Sequence, residues 1–198
     1  MGVLSDSKIL EKIDGGELTI TPFDRKRLNA NSYDLSLHNK LILYTDDVLD
    51  PKREASTVLV EIPESGIVLE PGVLYLGVTR ESLTLKNVVG VLSGTSGVSR
   101  LGLSIHVASC VTQVGFSGFL TLEIIASHRI RLYPGMLIGQ ILFEEVSGFV
   151  LNPYTKKEGL YNNEDMLPMK SLLFKRFKEQ RKESVGDSGI SFTDENLS

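Results

Sequence analysis

From residue 35 onward, the apolar positions fall into short runs rich in Val, Ile and Leu, separated by Gly, Pro and Asn or Asp. The runs cover residues 35–37, 41–44, 58–62, 73–79, 88–92, 103–111, 119–126 and 136–143. Short runs bounded by turn residues predict strands, and many of them in succession predict a β-sandwich or barrel. Two stretches depart from this rhythm. At the N-terminus Ser5 is placed to cap a short helix, with Ile9, Leu10 and Ile13 on its apolar face and Gly15-Gly16 as its stop. Helical periodicity returns over 166–178, and the polar, Gly- and Ser-containing stretch 179–198 is expected to be disordered. The chain is therefore expected to be mainly β, with one domain over 1–178 and a tail beyond it.

Alternation within two strands singles out particular side chains. In 119–126, Leu120, Leu122, Ile124 and Ala126 share one face, which leaves Glu123 on the other with Phe119, Thr121 and Ile125. In 103–111, Leu103, Ile105 and Val107 would share a face opposite Ser104, His106, Ala108 and Cys110. A carboxylate among apolar strand neighbours is costly without partners. An exposed glutamate or a structural ion pair would explain Glu123. So would a general base whose proton affinity is tuned by burial.

Composition narrows the function classes. The 198 residues are 41% hydrophobic and 23% charged, an ordinary globular balance. The net charge of -4 disfavours a nucleic-acid polymer as partner, whereas a small nucleotide needs only a few local cations. No apolar run approaches the roughly 20 residues of a membrane span. The opening residues lack the pattern of a signal peptide, so no membrane partner is expected. One cysteine, Cys110, rules out an intrachain disulfide and fits a reducing cytoplasm. It is expected to pack as a small hydrophobe.

The most distinctive segment is Gly94-Thr95-Ser96-Gly97-Val98-Ser99-Arg100-Leu101-Gly102. Its glycines allow close backbone approach, and Ser96 and Arg100 lie one helical turn apart if the segment coils. Such a loop could cradle a phosphate or polarise a substrate. Around it stand Leu4-Ser5-Asp6, Ile20-Thr21-Pro22-Phe23, Ser32-Tyr33-Asp34-Leu35, His106-Val107, Gly115-Phe116-Ser117-Gly118, Leu122-Glu123, the segment 134–139, and Asn152-Pro153-Tyr154. In this order and spacing the array, over about residues 3–165, resembles the dCTP deaminase family of the trimeric dUTPase superfamily.

The resemblance implies a distorted, jelly-roll-like β-barrel of the dUTPase type, assembled as a homotrimer. It implies deamination of a deoxycytidine nucleotide with no cofactor for the chemistry. Any Mg2+ would be carried by the nucleotide phosphates. Glu123 falls on the family's general base, and Ser96 and Arg100 on the groups that position water and stabilise developing charge. The residues themselves argue against the zinc route of other deaminases, because one cysteine cannot supply its H-x-E and P-C-x-x-C ligands. Within 109–118, Ser109, Val111, Gln113 and Phe116 fall on base- and sugar-contacting positions, and Tyr154 follows. Phe116 would equally suit an ordinary core position.

Three departures from the family pattern stand out. Thr95 and Gly97 occupy positions where the family has an arginine and a serine directed at phosphate. Leu160 and Glu164 align with a lysine and a glutamine over the triphosphate. Gln113 replaces an aspartate. Lost cations and a gained carboxylate weaken the hold on a triphosphate. Lys156, Lys157 or the basic run 175–182 could compensate, although a solvated helix face explains that run as well. The expected substrate is therefore dCTP or a less phosphorylated or base-modified relative. A non-catalytic nucleotide-binding protein is the alternative, and a dUTP diphosphatase ranks third because its chemistry needs the missing aspartate.

Overall fold

The computed structural model describes residues 2–154 and 160–186. It is a β structure in which the expected N-terminal helix is present as α1 (Asp6–Asp14). The Ser5 hydroxyl accepts from the Lys8 N–H, and Ile9 is buried.

The strands are β1 (Leu18–Thr21), β2 (Tyr33–Tyr44), β3 (Thr57–Glu61), β4 (Ile67–Leu69), β5 (Tyr75–Leu85), β6 (Val88–Gly94), β7 (Leu103–Ser104), β8 (Val111–Thr112), β9 (Ser117–Ala126), β10 (Ile130–Leu132) and β11 (Leu137–Glu145). Seven form a path in the order β7-β9-β5-β2-β11-β6-β8, with β1 added on β5 and β3 on β2. The pair β10-β4 stands apart. The two ends of the path, β7 and β8, are neighbours in sequence, joined only by residues 105–110. A flat path of seven strands would hold its ends about 29 Å apart at the ordinary 4.8 Å strand spacing. The connection can reach only about 24 Å. The sheet has to curl until its ends approach, and that curl makes the barrel.

The inside is apolar. Tyr33, Leu35, Leu37, Leu41, Leu122, Ile124, Ile141 and Phe143 are fully enclosed. The side chain of Ile105 reaches into this core and lies over Gly139 of β11, where a Cβ would collide with it. Strand β9 alternates as the sequence implies: Leu120, Leu122, Ile124 and Ala126 are buried, while Phe119, Thr121, Glu123 and Ile125 form a half-exposed outer face.

Several expectations need correction. The expected strand 103–111 is two strands of two residues each, separated by irregular chain, and Val107 is 57% exposed instead of sharing the buried face of Leu103 and Ile105. Two expected strands, 35–37 and 41–44, are one long β2, with a register shift between Leu37 and Leu41 in its pairing with β5. The expected strand 73–79 continues to Leu85, through Arg80 and Glu81. Strands β1, β4 and β10 were not anticipated. A C-terminal helix exists, but α3 spans Leu173–Gly186. It starts later than residue 166, because Pro168 cannot sit inside a helix, and it enters the stretch expected to be a tail. Residues 187–198 lie outside the described set. No helix of the described residues is long and apolar enough to cross a membrane.

The C-terminal chain returns across the outer face of β9. Phe119 N–H donates to the Asn163 carbonyl at 2.8 Å, Ser117 N–H to Asn162 Oδ1 at 3.1 Å, and Met169 N–H to Thr121 Oγ1 at 3.0 Å. Gly118, at φ +147°, lies directly under the Asn163 backbone, and any side chain there would collide with it. Farther along, Lys170 Nζ donates to the Ala55 carbonyl and pairs with Glu54, and Ser171 N–H donates to the Tyr44 hydroxyl.

Candidate active site

Glu123 sits on the outer face of β9, two residues beyond Thr121 and so next to the point where the returning chain leaves the strand. Its own N–H donates to the Ile105 carbonyl at 2.9 Å. Its Oε2 accepts from the Val107 N–H at 2.7 Å. The bend between these two contacts is braced by Ser104 Oγ, which donates to the His106 carbonyl at 2.7 Å. The carboxylate is therefore tied to the irregular chain that joins the ends of the sheet. Among the described residues of the chain it has no cationic partner.

The glycine-rich segment coils, as its spacing allows, into the single-turn helix α2 (Ser96–Arg100) at the end of β6. Arg100 Nη1 donates to the Ser96 carbonyl at 3.2 Å, and both residues are exposed. Val98 anchors the turn in the core. Thr95 is the N-cap residue, but its side chain makes no capping bond. Gly97 faces open space: a Cβ built there meets nothing within 4 Å. No hydrogen bond or ion pair joins Ser96 or Arg100 to Glu123 in the described chain.

The segment 109–118 divides by burial. Ser109, Val111 and Gln113 are exposed, and Val111 pairs with Val91 of β6. Phe116 is buried in the core, with its ring 6.3 Å from that of Tyr154. Tyr154 N–H donates to the Val114 carbonyl at 2.7 Å, and its hydroxyl accepts from the Tyr161 N–H. The structure thus brings Phe116 and Tyr154 together. Leu160 is half-buried in a turn, and Glu164 is exposed. Glu164 lines a hollow of about 390 Å³ with Asn162, Asn163, Asp165, Leu167, Pro168 and Met169. Lys156 and Lys157 lie outside the described residues.

Two features of the site escaped sequence reasoning. The first is the Val107 N–H, a backbone group with no side-chain signature. The second is the docking of Asn162 and Asn163 on β9. Gly118 was its available signal, since a glycine inside a strand often marks a close backbone approach.

Chemically, a carboxylate with one oxygen fixed by an amide, on a half-exposed strand face, can exchange protons with a bound water. The exposed hydroxyl and guanidinium on α2 can serve a substrate or a neighbouring molecule.

Comparison with known proteins agrees with the family resemblance read from the sequence. A family model described as dCTP deaminase-like matches residues 3–146. A protein of Clostridium beijerinckii named "dCTP deaminase, dUMP-forming" is 43% identical over 178 residues, covering 89% of this chain and 99% of that protein. A protein of the same name from Cytophaga hutchinsonii gives the same identity and coverage. Among solved structures, the 2'-deoxycytidine 5'-triphosphate deaminase of Agrobacterium tumefaciens superposes with a TM-score of 0.58 at 23% identity. That match covers 73% of this chain and 48% of the other, so the chain spans about half the length of that protein. The likeness establishes a shared fold.

Proposed function

The chain belongs to the dCTP deaminase-like family, and on that footing we propose that it is a hydrolase that removes the 4-amino group of a deoxycytidine nucleotide, dCTP first among them. The observation that carries this reading is the carboxylate of Glu123, half-exposed, without a cationic partner among the described residues and fixed by one oxygen to the connection 105–110. Glu123 takes a proton from water as the water oxygen bonds to C4 of the cytosine ring, the C4–N3 double bond opens and N3 takes up that proton. The same carboxylate then carries the remaining hydroxyl proton to the amino group, and the C4 oxygen becomes a carbonyl. The C4–N bond breaks, and ammonia leaves the deoxyuridine nucleotide behind. Proton transfer of this kind contributes about 10²–10⁴-fold. Ser96 and Arg100 stabilise the tetrahedral centre from outside the strand. No zinc is needed, and a magnesium ion enters through the phosphates it accompanies.

The pair on α2 reaches Glu123 across a subunit boundary, in a homotrimer. Exposed apolar residues on and next to α2, on the connection 105–110 and on β8 support this: Leu101 at 57%, Val107 at 57% and Val111 at 54% exposure. A surface of this kind is what an interface covers. The single cysteine suits a cytoplasmic setting.

Gln113 favours a particular product. The relatives' name specifies dUMP, which requires cleavage between phosphates as well as loss of ammonia. A glutamine amide cannot take a proton from water near neutral pH, and Gln113 is exposed where the superfamily's aspartate would stand. The product here therefore keeps the phosphates of its substrate, dUTP from dCTP.

Ammonia release and phosphate release from dCTP, dCDP and dCMP, measured with the wild type and Glu123→Gln, test both statements. Ammonia without pyrophosphate is expected from the wild type, with turnover at least about 100-fold lower in the variant. Equal turnover in the two proteins would refute the role of Glu123. No ammonia from the wild type would leave a nucleotide-binding protein instead.

A further inference from the structure

The contact between Val107 and Glu123 is unusual in where it occurs. Strand β7 pairs with β9 for two residues, Leu103↔Ala126 and Ser104↔Ile125, and one further bond extends the ladder, from Glu123 N–H to the Ile105 carbonyl. After that the chain turns away. The next available donor, the Val107 N–H, meets the Glu123 carboxylate at 2.7 Å and not a strand carbonyl. The Val107 side chain contributes nothing to the barrel interior, since it is 57% exposed. The position of its backbone is set from two sides. Ser104 Oγ binds the His106 carbonyl before it, and the enclosed side chain of Ile105 rests on Gly139. Beyond it, Leu92 N–H binds the Cys110 carbonyl at 2.7 Å. A glutamate side chain has three rotatable bonds, and here one end of the carboxylate is held by a group that cannot itself rotate away.

We infer that the Val107 backbone N–H is a positioning group for Glu123. It fixes Oε2 and leaves Oε1, which has no protein partner among the described residues, as the oxygen presented to the attacking water. This inference rests on the reading of Glu123 as general base. It adds that the base is aimed by the chain joining the two ends of the sheet, through a backbone bond that, among the natural residues, only proline at 107 would remove.

The direct test replaces Val107 by its α-hydroxy acid counterpart, which exchanges the N–H for an ester oxygen and preserves the side chain. The same replacement at Ala108, whose N–H makes no hydrogen bond among the described residues, serves as control. Ammonia release is measured for both, together with thermal melting and Glu123→Gln. The expected result at Val107 is a fall in kcat of about tenfold or more with KM within about twofold, since misplacing a reacting group by 1 Å can cost on the order of 100-fold. Melting of this ester and of the Ala108 ester should agree within a few degrees. An unchanged kcat at Val107, with Glu123→Gln inactive, would overturn the positioning role and leave the general base intact. A joint change in kcat, KM and melting would overturn it in favour of a purely structural bond. Full activity of Glu123→Gln would remove the general base, and this inference with it.

Discussion

Removing the carboxylate of Glu81 should destabilise the fold more than any other single truncation of a polar side chain discussed here. Glu81 is 1% exposed in the middle of β5. Its Oε2 accepts from the Ser36 N–H at 2.9 Å, while Oε1 accepts from Ser36 Oγ at 2.6 Å and from Arg27 Nη1. The residue belongs to the irregular stretch between Val78 and Ser82, where the register of β5 on β9 shifts. There Thr79 Oγ1 donates to the Glu81 carbonyl and accepts from the Leu120 N–H. Breaking a buried ion pair by removing one partner costs about 3–5 kcal/mol. Orphaning the Ser36 N–H belongs to the same loss and would by itself cost about 1–3 kcal/mol. The Arg27 side chain is 26% exposed and can recover some hydration, which places Glu81→Ala toward the lower end, about 3–4 kcal/mol. Glu81→Gln keeps an acceptor for Ser36 and loses only the charge-assisted part, about 1.5–3 kcal/mol. The double variant Arg27→Met/Glu81→Leu should recover most of the loss, because an apolar pair of similar volume avoids the desolvation of two charges. Urea unfolding at one fixed protomer concentration measures all three, since association would make stability concentration-dependent. A domain of this size should lose roughly 10 °C in Tm for the alanine variant. If alanine and glutamine both fall within 1 kcal/mol of the wild type, the network does not hold the strand crossing, and the account of the β5 irregularity is wrong.

Restoring the cation at α2 by Thr95→Arg, with Gly97→Ser, should raise the preference for dCTP over dCMP about 10-fold or more, because charge-assisted bonds to phosphate contribute about 1.5–3 kcal/mol. Gly97 has open space for the new side chain; unchanged kcat/KM ratios would mean that other groups already hold the phosphates. A second expectation concerns pH. Burial, then Lys40 and Arg80, push the proton affinity of His38 below the usual imidazole range, with Glu61 opposing. The unfolded chain therefore binds a proton near its ordinary value of 6.5 before the folded chain does, so stability falls as pH drops below about 6.5. His38→Gln should flatten that acid-side decline in Tm between pH 8 and 5, and parallel curves would show that other groups cause it.

The parts of the fold legible in the sequence were those where one local rule decides the structure. Ser5 before an apolar helical face gave α1, and strict alternation from Phe119 to Ala126 placed Glu123 on the outer face of β9. The misreadings arose where two rules compete. Arg80 and Glu81 look like the end of a strand, yet β5 continues through them because Glu81 finds Ser36 and Arg27 inside the fold. Leu103, Ile105 and Val107 alternate like strand residues, but the chain leaves the sheet after Ile105 to close the barrel, a demand set by strands far away in sequence. Strands β1, β4 and β10 have four, three and three residues, too few to display a period. At the site, side chains could be nominated from their order along the chain. The backbone donor at Val107 could not, because amide groups look alike in every sequence.

The route by which the sheet closes constrains how such a protein can change. Loops usually tolerate insertions because they run over the surface and hold little in place. The connection 105–110 is different: it works as the clasp of the barrel and as the mount of a carboxylate at once. Adding or removing a residue there would alter the girth of the sheet and the aim of Glu123 in one step, so the two could not be adjusted separately. Diversification is left to exchanges of side chains and to the helix turn at 96–100, which lies outside that connection. Of the positions at which the sequence departs from the family pattern it resembles, Thr95, Gly97 and Gln113 lie on either side of the connection and outside it. Substrate range can drift along such a lineage while the length of this one connection stays fixed.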